Sequence, residues 1–198
     1  LGGGKKDVAM LMLYAAMDNY LKDDGKLGFV ITQTVFKTKG AGDGFRRFRL
    51  GKEGPHLKVL SAQDLVELQP FEGASNRTAT VILQKGVPTE YPVSYTVWEK
   101  AKPGRIGVDL SLEAVKERTR KTSLSARPVD SAQPTSPWLT ASPAVLDALQ
   151  KAIGPSFYQA HAGACTWVNG VYWLRVLDRQ PNGLLVENLH EVGKTSLK

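Results

Sequence analysis

Cysteine is nearly absent: Cys165 is the only one in 198 residues. No disulfide can close within this chain, and no cysteine-built metal cluster can form. That usage fits a reducing cytoplasm. The three histidines, His56, His161 and His190, are scattered without ligand spacing, so each reads as structural or solvated. No apolar run is long enough to span a bilayer; the longest, residues 8–17, falls well short. No secretory signal is visible, because no small-residue cleavage site follows that run before Lys22, Asp23 and Asp24. The chain starts at Leu1 rather than Met, and we expect it to be a piece of something longer. Acids are also in short supply. Against 26 Lys and Arg stand 19 Asp and Glu, a net charge of +7.

Such a surface attracts polyanions, but its placement says more than its sum. Lys37, Lys39, Arg46, Arg47, Arg49 and Lys52 fall within 16 residues that contain only one acid, Asp43. A second cluster holds Lys116, Arg118, Arg120, Lys121 and Arg127. Hydrophobic residues at 42% are ordinary for a globular protein, and the length allows one or two domains with a sizeable core.

Asp7 is a helix N-cap for residues 8–21, a stretch apolar on nearly every face. Asp23-Asp24-Gly25 is a turn. Residues 27–32 form a continuous apolar run with β-branched members, the pattern of a strand buried on both faces. Asp43 caps a short helix over residues 44–50. Residues 57–60, 65–68 and 78–84 read as strands, giving an α/β layout. Residues 91–98 alternate like an exposed strand, residues 111–120 read as a helix, and residues 122–143 as an extended Ser/Thr/Pro-rich connection. Ser142-Pro143 opens another helix, to about residue 153. Two last strands, 171–177 and 183–189, flank a Gln180-Pro181-Asn182-Gly183 turn.

Several signatures fail on inspection. Gly40-Ala41-Gly42-Asp43-Gly44 is no dinucleotide fingerprint, because Phe45 stands where a glycine is required. Gly193-Lys194-Thr195 echoes a phosphate loop, but Asn188 replaces its first glycine. Serine-hydrolase and paired-acid glycosidase patterns are missing.

Residues 26–38, KLGFVITQTVFKT, and residues 69–83, QPFEGASNRTATVIL, each join a strand to a polar segment. With residues 7–21 they resemble the fifth, sixth and eighth sequence blocks of adenine-specific DNA methyltransferases of restriction–modification systems. The resemblance covers residues 1–86 and extends more weakly through residues 161–177, which are similar to the entry of a target-recognition domain. It implies a partial Rossmann-like methyltransferase sheet, late strands only, followed by a mixed α+β region. Residues 27–32 would be the fifth strand, residues 57–68 the sixth, and residues 78–84 the antiparallel seventh. The implied division is 1–99 for the methyltransferase part, 100–157 for a helical and extended connection, and 158–198 for the start of target recognition. The family's Asn/Asp-Pro-Pro-aromatic tetrapeptide is absent, for the chain has no Pro-Pro pair, and so is the glycine loop that cradles S-adenosylmethionine. The whole protein would methylate an adenine amino group, while this chain alone is expected to be inert and not to bind the cofactor.

What the resemblance carries over is Phe71, in the place of the aromatic that stacks on a flipped adenine. Asn76 and Arg77 on the same loop, and Lys37, Lys39, Arg46 and Arg47 after the fifth strand, would meet DNA phosphate. The bland alternatives are a loop plug for Phe71, loop capping by Asn76, and a solvated face for the cations. Trp138, Trp167, Tyr172 and Trp173 read mainly as core, with Trp167 an alternative lining of a recognition surface. The implied partners are DNA and, through the uncovered faces of residues 8–21 and 27–32, a second copy of the chain. A non-catalytic DNA-binding module and a basic protein-interaction domain remain as competing readings.

Overall fold

The computed structural model describes residues 7–153, except 41, 72, 74, 75, 105 and 108, together with residues 157, 158, 163 and 173–189. It divides into two compact units, Leu1–Gly154 and Pro155–Lys198. The first is of the α/β class and is built on one six-stranded sheet.

Asp7 opens helix α1, Val8–Tyr20, by accepting the Ala9 backbone N–H at 3.0 Å. The helix buries Met10, Leu13 and Met17 at three- and four-residue spacing, which puts them on one stripe. Its other side leaves Val8, Leu11 and Met12 exposed. The Asp23-Asp24 turn, with Asp24 at φ 61°, leads into strand β1, Lys26–Thr32. Next come a single turn of helix, α2, Thr34–Lys37, and strands β2, Leu57–Asp64, β3, Thr78–Lys85, and β4, Val93–Lys100. Helix α3, Leu112–Arg118, strands β5, Thr119–Pro128, and β6, Trp138–Ala141, and helix α4, Pro143–Ala152, complete the unit. Ser111 caps α3 by accepting the Ala114 N–H at 3.3 Å.

The strand order is β1-β3-β2-β4-β5-β6. Strand β3 is antiparallel to both β1 and β2, so those two run parallel to each other. Strand β4 is parallel to β2, and the remaining pairs are antiparallel. The sheet is therefore mixed rather than mostly parallel. Strands β5 and β6 continue the same sheet past residue 99, through the stretch expected to be a helical and extended connection.

One face of this sheet holds the core. Leu57, Val59 and Ala62 of β2, Ala79, Val81 and Leu83 of β3, and Val93 and Tyr95 of β4 point into it, beneath α1 and α2. Phe36, Phe45, Phe48 and Trp138 close the cluster. Phe36 stacks on Trp138 at 4.7 Å between ring centroids, and the Tyr14 hydroxyl donates to the Phe45 carbonyl at 2.6 Å. The opposite face is not covered in the same way. Val30 is exposed, as are Gly28, Ile82 and Ser94. This corrects the expectation that β1 is buried on both faces: its burial alternates, with Leu27, Phe29 and Ile31 turned inward.

Three more expectations change. Residues 65–68 form a turn after β2 rather than a separate strand, and the helix expected over residues 44–50 shrinks to one 3-10 turn, Phe45–Arg47. The latter stops because Phe48 takes a left-handed backbone, φ 43°, so that its neighbours can pair Arg49 with His56. Trp138 is core, but Trp173 is 55% exposed, and Trp167 and Tyr172 lie outside the described residues. In the second unit the hairpin is β7, Leu174–Gln180, with β8, Gly183–Asn188, joined at Pro181-Asn182 as expected.

Candidate nucleic-acid interface

Because β1 and β2 are parallel, their carboxyl ends lie at one edge of the sheet, where open α/β sheets place ligands. Residues 65–77 leave from this edge, and both ends of the loop are pinned to it. At one end the Leu65 N–H donates to the Thr78 carbonyl at 3.0 Å, and the Val66 N–H to Asp64 Oδ1 at 3.1 Å. At the other the Gln33 N–H donates to the Arg77 carbonyl at 2.8 Å. Phe71 is 52% exposed, and Asn76 and Arg77 are exposed.

Asn76 lines an open pocket of about 290 Å³. Its other walls are Asp7 and Met10 at the start of α1, Thr32 at the end of β1, and Thr34, Val35 and Thr38 of the α2 segment. Thr32 donates its hydroxyl to Asp7 Oδ2 at 2.5 Å, so one carboxylate caps α1 and ties it to the strand end. The pocket thus offers hydroxyls, an amide and a carboxylate beside two apolar side chains, a lining suited to a polar planar group. Among the described residues no group of His, Cys, Asp and Glu is placed to hold a metal ion.

The expected cations part company. Lys39 and Arg47 are exposed. Lys37 is half-buried: its ammonium donates to Thr140 Oγ1 and lies 5.0 Å from the Tyr95 ring centroid. Burial lowers its pKa, opposed by the charge of Asp64. Arg46 is a correction. It is 1% exposed, and its guanidinium donates to the carbonyls of Val35, of Thr38 at 2.8 Å and of Thr135 at 2.8 Å, and to Asp43 at 2.7 Å. Four of its five N–H donors are spent inside the fold, and the buried group presents no surface to a phosphate. Gly42 makes this possible, since a Cβ there would strike both the Arg46 guanidinium and the Val35 carbonyl.

Sequence reading missed two parts of this region. One is the pocket wall of Asp7, Thr32, Thr34 and Thr38, of which only the Asp7 cap was legible. The other is a buried polar network behind it. Asp64 Oδ2 accepts from the Tyr95 hydroxyl at 2.7 Å and from Gln33 Nε2 at 3.0 Å. Gln33 Oε1 is buried without a hydrogen-bond partner among the described residues. The lone signal was an acid, Asp64, lying between the two expected strands 57–60 and 65–68.

No protein-family model matches this chain, and no curated protein matches it.

Proposed function

We propose that residues 7–85 are the late-strand part of an adenine-specific DNA methyltransferase domain, and that the loop 65–77 is its target-base loop. The observation that carries this reading is the pinned loop itself. It leaves the carboxyl edge of two parallel strands, holds Phe71 half-exposed at its tip, and sets Asn76 into a polar pocket. An extruded base loses its stacking partners, and an aromatic face restores about 1–3 kcal/mol. The antiparallel direction of β3 between β1 and β2 supports the same reading, since the family's seventh strand is antiparallel. So do the apolar outer side of α1 and the place of β1 at the end of the strand order among the described residues, where further strands of a larger sheet would add.

The catalytic tetrapeptide and the cofactor loop are not among these residues. In this reading the isolated chain is inactive, and S-adenosylmethionine serves the whole protein, in a cytoplasm where DNA is the substrate. No helix among the described residues is long and apolar enough to cross a membrane. Lys39, Arg47 and Arg77 remain the cations for phosphate.

The test is transfer of a labelled methyl group from S-adenosylmethionine to DNA by the whole protein. The expected product is N6-methyladenine, and Phe71→Ala should reduce its formation. Methylation of cytosine, or none at all, would overturn the reading. Saturable DNA binding by this chain without any transfer by the whole protein would favour a non-catalytic binding module.

A further inference from the structure

The second face of the six-stranded sheet is free of acids at its strand positions. The six strands contain only two acidic residues, Asp64 and Glu99. Alternation puts both on the side of Ala62, Tyr95 and Val97, whose side chains face the core. The opposite side carries Lys26, Lys58, Lys100, Lys121 and Arg127. Between them lie neutral donors and acceptors, Ser61, Gln63, Thr80, Ser94, Thr96 and Ser123, all half-exposed or exposed.

Trp98 sits among these groups. Its Nε1 donates to Gln63 Oε1 on the neighbouring strand at 2.8 Å, which fixes the indole against the sheet. Lys121, directly opposite on β5, holds its ammonium 4.0 Å from the ring centroid. Lys58 pairs with Glu90 at 2.7 Å and Arg127 with Asp147 at 3.4 Å, so Lys121 is the cation nearest the ring that these acids do not occupy.

We propose that this face binds single-stranded nucleic acid, with one base stacked on Trp98 and Lys121 moved from the ring to the adjacent phosphate. A flat sheet carrying an aromatic platform is a general way to hold unpaired bases. The charge asymmetry suits a polyanion. The platform selects nucleic acid over an acidic peptide, whose carboxylates gain nothing from an indole face. A duplex is disfavoured because its bases are already stacked. The exchange is downhill, since base stacking on an aromatic ring is stronger than an exposed cation–π contact. This surface shares no named residue with the loop that carries Phe71, and the inference does not depend on the methyltransferase reading.

The experiment is fluorescence anisotropy of a labelled oligothymidine titrated with the chain at low salt. Saturable binding is expected. Trp98→Ala should weaken it about tenfold, with Trp98→Phe retaining most of the affinity. Lys121→Gln should lower affinity and reduce the slope of log affinity against log salt by about one. Wild-type affinity in a folded Trp98→Ala protein would overturn the proposal, as would displacement of the oligonucleotide by polyglutamate at equal charge. Should Trp98→Ala fail to fold, the exposed Lys121→Gln variant decides: unchanged affinity and salt slope would overturn it too.

Discussion

The Tyr95 hydroxyl donates to Asp64 Oδ2 at 2.7 Å, and both side chains are buried. The bond ties the middle of β4 to the end of β2, and the other oxygen of the same carboxylate holds the first turn of the loop 65–77. Tyr95→Phe removes a donor from a buried carboxylate. It should destabilise the fold by about 1–3 kcal/mol. Urea unfolding measures this, and a loss below about 0.5 kcal/mol would mean that water replaces the bond.

The same burial governs alkaline behaviour. Burial raises the pKa of Tyr14, Tyr91 and Tyr95 above the ordinary 10.0. A tyrosine raised in the folded state contributes stability that is complete below its unfolded value and is lost as pH rises past it. Stability should therefore fall above pH 10. Lys37 acts the other way, its lowered pKa relieving a burial cost as pH rises toward 10.5, but it is one group against three. Absorbance titration should find these three of the six tyrosines silent until unfolding. Reversible ionisation of all six in the folded protein would contradict it.

Arg46 and its neighbour Arg47 should separate cleanly. Arg46→Ala strands three backbone carbonyls and should cost about 2–4 kcal/mol. Arg47→Ala should stay within about 0.5 kcal/mol in stability and instead weaken DNA binding. Thermal unfolding and DNA titration of the two variants check this. Equal stability effects would refute the assignment.

This contrast also marks the limit of sequence reading. A run of cations ordinarily lies on a solvated face, and Arg46 looks no different from Arg47 in the string. Its burial depends on Thr135, 89 residues away. Local signals fared better: the Asp7 cap, the apolar β1 run, the β3 strand and the Pro181-Asn182 turn each follow from neighbours in sequence. Strand β5 was missed because only Leu124 and Ala126 turn to the core, among Thr, Ser, Lys and Arg that resemble a connection. The exposed positions Val30 and Ile82 are apolar, so periodicity could not reveal which face of β1 stays open. The pocket beside Asn76 is assembled from three separate segments, and no single motif encodes it.

Phe71 offers the direct test of the base site. In the whole protein, Phe71→Ala should lose about 1–3 kcal/mol of affinity for DNA carrying 2-aminopurine at the target position, and Phe71→Trp should keep most of it. Fold stability should hardly change, because the ring is half-exposed on a loop. Equal affinity and equal fluorescence change in wild type and Phe71→Ala would sink the assignment. A large drop in melting temperature would show that the ring is a structural plug.

The uncovered side of α1 and the free edge of β1 should make the isolated chain self-associate. Val8, Leu11, Met12 and Val30 are all about half or more exposed, at 65%, 47%, 59% and 50%. Light scattering should find a dimer or larger species, and Met12→Glu with Val30→Lys should shift it toward monomer. A wild-type monomer at every concentration would count against this.

The interposed position of β3 has a consequence during synthesis. Strands β1 and β2 leave the ribosome before β3, yet neither pairs with the other; each waits for the same later strand, Thr32 for Thr78 and Leu57 for Lys85. Until that segment emerges, two apolar strands stand with unmet backbone groups, a state that invites chaperone capture or misassembly. The insertion of β3 is then a single late event that completes both pairings at once. A pause after β2 has emerged, with residues 78–85 still inside the ribosome, would prolong that vulnerable interval most.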